Sequence, residues 1–170
     1  MATENIAYSG DTAITFDISS LATSSTFVAG RESTQIDNTS NKYIDAIVFC
    51  KGVTGHASTA PTVGQLIGLW VWGASVSLAT TPIDVLDGTD SNETLGHVSV
   101  LNSLKLAGQA SVTVATAGLT YYFMPFSVAR LFGGVLPPFW GLYLAHNHTG
   151  ALAASQASQF TYQGITRTIA

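Results

Sequence analysis

Charge is what this 170-residue chain has least of: six Lys and Arg and ten Asp and Glu, together 9% of its residues, against about a quarter in ordinary soluble domains. Six scattered cations and a net charge of −4 cannot line a cationic groove, which excludes nucleic acid as the principal partner. Cysteine is nearly missing too. Cys50 stands alone, so no internal disulfide can form, which suits assembly in a reducing cytosol. It sits in the apolar run IVFC with no cation nearby to activate its thiol, and reads as a space-filler. No run reaches the roughly 20 apolar residues a membrane-spanning helix needs, so no membrane partner is expected. The opening MATENIAYSG lacks a basic-then-apolar leader pattern. Without secretion, the sequons at Asn38, Asn92 and Asn147 carry no sugar. There is no fixed-period repeat, no G-x-S-x-G elbow, no P-loop and no G-x-G-x-x-G. No enzymatic activity is expected, and no cofactor.

What the chain does have is apolar surface, at 46% of residues. It concentrates in Gly64 to Thr80, GQLIGLWVWGASVSLAT, which carries two of the three tryptophans and no charge. Pro61 and Pro82 flank the run and three glycines interrupt it, which favours a strand over a helix. Along an extended chain Leu66, Gly68, Trp70 and Trp72 share one face and Ile67, Leu69 and Val71 the other. Both faces are apolar, so a central strand covered on both sides is expected.

Similar patterns recur. Ile14, Phe16 and Ile18 alternate with Ala13, Thr15 and Asp17, reading as a half-exposed strand from Asp11. Thr26 to Gly52 reads as two strands joined by the turn-forming run Asp37 to Asn41, with Arg31, Glu32, Asp37, Lys42 and Asp45 forming a solvated hairpin end or ion pairs at a contact. Residues 80 to 93 form an acidic loop. Its Asp84, Asp87, Asp90 and Glu93 recur every third residue, unlike the alternate-residue oxygens of a calcium loop, so a solvated turn tipped by Asp87-Gly88 is expected. Leu95 to Leu106, Ser111 to Ala115 and Tyr121 to Phe126 are further strands, with a break at Ala107-Gly108-Gln109. Ser127 to Phe132 is the one helical turn, ended by Gly133 and Gly134. Phe139 to His148 is a second two-sided apolar strand, and Ser158 to Ala170 a terminal one.

Roughly eight or nine short strands with turn signals between them indicate one all-β domain, an antiparallel β-sandwich of jelly-roll type. Residues 13 to 170 form that domain and residues 1 to 12 an N-terminal arm. His146 and His148 would share a strand face and could chelate a metal, but a third ligand would have to come from His56 or His97, so they read as strand-end histidines facing solvent or a neighbour. Trp70, Trp72 and Trp140 could stack on sugar rings, though in two-sided apolar runs aromatics build cores. A surface this poor in charge is expected to lie against neighbouring copies or a larger partner.

The phrases VAGREST (28 to 34), DNTSNKYIDAIVF (37 to 49), LWVWG (69 to 73), SLATTPIDVLDGTDS (77 to 91), MPFSVARLFGG (124 to 134) and WGLYLAHN (140 to 147) together resemble the small virion proteins of tailed bacteriophages, above all capsid decoration or cement proteins. The resemblance covers most of the chain from about Phe27 onward. It implies a protein made in the host cytoplasm that clips onto the major capsid protein of an assembled icosahedral shell, commonly as a trimer, and carries no catalytic residue. Partner contacts would fall to Asn5, Tyr8, Arg31, Glu32, Asp45 and Arg130, and the arm would order on a neighbouring subunit. The alternative is a glycan- or receptor-binding module of a head or tail fibre.

Overall fold

Alternating apolar and polar residues, rich in β-branched and aromatic side chains, make extended backbone the local preference over most of the chain. A computed structural model describes residues 4–157 and 159–169. The strands are β1 (Glu4–Tyr8), β2 (Thr12–Ala13), β3 (Ala29–Glu32), β4 (Ile36–Asp37), β5 (Asp45–Cys50), β6 (Val53–Thr54), β7 (Leu66–Ala74), β8 (Ser91–Thr94), β9 (Lys105–Ser111), β10 (Thr120–Tyr121), β11 (Phe126–Ser127), β12 (Phe139–His146) and β13 (Phe160–Ile169). A single helical turn, α1 (Val128–Leu131), and a 3₁₀ turn over Val98–Asn102 complete the described elements.

The strands form an antiparallel β-sandwich. One sheet runs β1-β13-β5-β11, with β2 also on β13; the other runs β8-β3-β12-β7-β9, with β4 also on β12; β10 and β6 make a separate small pair. Between the two sheets lies the main core. Ala46, Val48, Phe160 and Tyr162 meet Ile67, Leu69, Val71, Trp140, Leu142 and Leu144 there. The opposite face of the second sheet is also covered: Trp70, Trp72, Tyr143 and Ala145 pack under Leu78, Leu86, Leu95 and Leu104 of the long connection between β7 and β9. The expectation of a central strand buried on both sides therefore holds for β7, and β12 beside it is buried in the same way. Glycine makes the second layer possible. The Trp72 ring lies over Gly141, where a Cβ would sit 2.4 Å from it.

Several expectations change. Glu4–Tyr8, expected within a free arm, pairs antiparallel with Ile165–Ile169 of β13. Met1 to Thr3 of that arm, and Ser158 and Ala170 of the terminal segment, lie outside the described residues. The segment from Asp11 keeps its alternation, with Ile14, Phe16 and Ile18 buried, but pairs as a strand only at Thr12–Ala13. The two strands of Thr26 to Gly52 are not a hairpin: β3 and β5 lie in different sheets, and the Asp37 to Asn41 run carries the chain between them. Asn38 clamps that crossing, accepting from the Tyr43 amide (2.9 Å) and donating to the Tyr43 carbonyl (3.0 Å). A strand expected over Leu95 to Leu106 is instead the 3₁₀ turn, with β9 running through the supposed break and shifting register opposite Leu69/Trp70. The helical turn appears where expected. Ser127 caps α1 by accepting from the Arg130 amide at 3.0 Å, and Gly133 and Gly134 end it at φ 74° and 95°, a region glycine enters without Cβ strain.

Candidate functional site

The first sheet ends in a ribbon. Beyond Ile165, β13 has left β5 and among the described residues is paired only to β1. Residues directly opposite in an antiparallel pair share a face. One face therefore carries Glu4, Ile6, Tyr8, Ile165, Arg167 and Ile169, and the other Asn5, Ala7, Thr166 and Thr168. The first is continuous with the outer side of β5 and is open to solvent: Ile6 is 60%, Tyr8 64% and Ile169 67% exposed. Its charges neutralise each other, Arg167 reaching Glu4 at 2.8 Å. Asn5 and Tyr8, both expected contact residues, thus project from opposite faces of the ribbon. Ile6, Arg167 and Ile169 escaped the sequence reading, although period-two alternation in ENIAY and in ITRTIA runs through all three.

Beside the ribbon lies a groove of about 620 Å³, lined by Ile44, Asp45, Ser127, Ala129, Arg130, Gly133, Gly134 and Arg167. Here the structure brings Asp45 and Arg130 together, 85 positions apart in the chain. They do not pair with each other. The Asp45 carboxylate holds α1 in place, accepting from the Ser127 hydroxyl (2.6 Å) and the Ala129 amide (2.9 Å). Arg130 is exposed, and its guanidinium finds no acidic partner among the described residues.

Arg31 and Glu32 lie elsewhere, on β3 in the second sheet, and face into their own chain. The Arg31 guanidinium bonds the Asp90 carboxylate at 2.7 Å and the Asp90 carbonyl at 2.8 Å. Glu32 has no exposed surface. Its two oxygens accept the backbone N–H groups of Asp87 and Gly88, each at 3.0 Å. Burial pushes its carboxyl up to about 8, against these two donors. The acidic loop expected as a solvated turn is thus fastened down, with Leu86 fully buried beneath it. Its remaining carboxylates serve the loop itself: Asp84 accepts from the Gly96 amide at 2.6 Å and Asp87 from the Thr89 amide at 2.9 Å. Hydrogen bonding to Thr89 holds the Asp87 carboxyl below its usual range.

His146 and His148, expected to face solvent or a neighbour, are buried at the end of β12. His146 Nε2 donates to the Leu21 carbonyl at 2.9 Å, leaving Nδ1 to accept the His148 amide at 3.2 Å. Both ring nitrogens of His148 and the Tyr121 hydroxyl beside it are buried without a partner among the described residues, the two rings meeting edge-on at 5.1 Å. Burial pushes both imidazoles down, His148 to about 4 with His146 adding to the effect. No third His, Cys, Asp or Glu joins them among the described residues. Cys50 is half-buried, and burial pushes its thiol up, the opposite of activation. No family model matches this chain, and no characterised relative matches it.

Proposed function

We propose that this is a structural virion protein that binds the outer surface of an icosahedral phage head, contacting the major capsid protein, and stabilises it by non-covalent contact. The observation that carries the reading is the ribbon and the groove beside it: an apolar, internally neutralised face next to a guanidinium with no acidic partner among the described residues, on a chain of which only 9% is charged. Such a surface suits docking against protein, because little charge must be desolvated and the Thr and Asn side chains of the opposite face lose little entropy when ordered. A three-fold placement and a jelly-roll winding of the sandwich belong to the same proposal. The glycan-binding alternative would need exposed rings to stack on. Trp70, Trp72 and Trp140 are all buried, leaving exposed tyrosines such as Tyr8 and Tyr122 for stacking. Heating shells with and without the purified protein, alongside imaging of both, tests the reading. Bound copies all over the surface and a raised disruption temperature are expected; shells of unchanged appearance and heat resistance would sink it.

A further inference from the structure

We propose that β1 is a self-pairing edge: two copies of the chain join antiparallel along β1 about a two-fold axis through Ile6, continuing the first sheet from one subunit into the next. The inference does not rest on shell binding. It begins with the hydrogen-bonding phase of the ribbon. The Ser9 amide donates to the Gly164 carbonyl at 2.8 Å, while the Ile165 carbonyl is turned the other way, accepting from the Ile44 amide at 2.8 Å. Alternation along an antiparallel ladder then directs the N–H and C=O groups of Asn5 and Ala7 toward β13. Those of Glu4, Ile6 and Tyr8 point to the free side, where β1 ends the sheet and no described strand pairs with it.

Such an edge invites addition of another strand. Natural edges are blunted by Lys, Pro or a bulge, and β1 has none of these: its regular register runs from Glu4 to Tyr8. A two-stranded ribbon is also marginal in water by itself, so a third strand would stabilise it. Charge selects a second copy as that strand. With Ile6 on the axis, Glu4 lies opposite the partner's Tyr8 and Asn5 opposite the partner's Ala7, so no like charges meet. Each Glu4 keeps its Arg167 across the ribbon, and the exposed Ile6 and Tyr8 side chains of both copies merge into one apolar strip. A parallel pairing would set Glu4 near the partner's Glu4, and like charges facing each other across strands are destabilising.

The test uses the full chain in solution. Away from shells, where no three-fold placement is imposed, sedimentation should show a dimer, and amide exchange should show Ile6 and Tyr8 protected together with Asn5 and Ala7. Ile6→Pro removes an outward N–H and no bond to β13; edge strands tolerate proline in this position. It should raise the dimer dissociation constant at least about tenfold while leaving the melting transition of the subunit in place. Because that variant could disturb the ribbon itself, Ile6→Cys in a Cys50→Ser background supplies a second readout. The hydrogen-bonded pair places the two Cα atoms about 5.5 Å apart, within disulfide range, so oxidation should cross-link the dimer, whereas Ile169→Cys should not. A monomer with freely exchanging Ile6 and Tyr8 amides would overturn the proposal. So would a dimer indifferent to both Ile6 variants, or a chain whose β1 becomes protected only on addition of capsid shells.

Discussion

The β7–β12 pair and the β1–β13 ribbon are built alike, as regular antiparallel ladders, and differ in almost everything else. β7 and β12 hold the tryptophans between two cores, while β1 has no buried residue at all. Backbone hydrogen bonds replace equivalent bonds to water and contribute little net free energy each; apolar burial contributes most of the rest, about 25 cal/mol per Å². The comparison teaches that strand formation and stability are separable here. The central pair holds the fold together, and the ribbon is left available for contact.

The largest blow to the central pair should come from Trp72→Ala, which empties a fully buried site under the 78–104 connection. A loss of about 3–5 kcal/mol, read by denaturant unfolding, is expected, and a loss below about 1 kcal/mol would contradict the second core. Glu32→Ala should cost less, about 1–3 kcal/mol, by leaving two backbone N–H groups without their acceptor. Its signature is local: amide exchange at Asp87 and Gly88 should quicken while the β7 amides stay protected.

Titration separates two buried groups with opposite signs. His148 has its folded value pushed down to about 4, so its neutral form favours folding. The associated stability is present above about pH 6.5 and is lost as pH falls toward 4. Glu32 is pushed up to about 8, so its contribution is present below about pH 4.5 and is lost as pH rises toward 8. Unfolding free energy followed from pH 4 to 8 should lose part of its acid-side slope in His148→Phe, the rest belonging to His146, and its alkaline-side slope in Glu32→Gln. Least of all should come from the ribbon. Arg167→Ala breaks a half-exposed ion pair worth no more than about 1 kcal/mol, and the effect should vanish in high salt. A larger loss would show the ribbon to be part of the stabilising core, erasing the contrast with β7–β12.

Most of the strand content was legible before the structure. The two-sided apolar runs within 64–80 and 139–148 announced themselves by composition, and the α1 turn by its paired glycines. The acidic loop was misread because its carboxylates dominate the local sequence, while its anchor, Glu32, lies more than fifty positions earlier. The hairpin expected between β3 and β5 failed for a related reason, since a turn signal marks a reversal without saying into which sheet the chain returns. Of the expected contact residues, Asp45 and Arg130 meet at one groove and Asn5 and Tyr8 share the ribbon. Arg31 and Glu32 turn inward, an outcome that depends on the distant Asp90 and on Asp87-Gly88 arriving beside β3.

By itself the sequence determined that this chain is extended, sparsely charged and layered around its tryptophans, because side-chain alternation is a local property that needs no knowledge of neighbours. Only the tertiary structure decided which strands share a sheet, that a glutamate and two histidines are buried, and that one edge is left open. Periodicity states which face of a strand is apolar, but the strand lying beside it is set by packing between segments far apart in the chain.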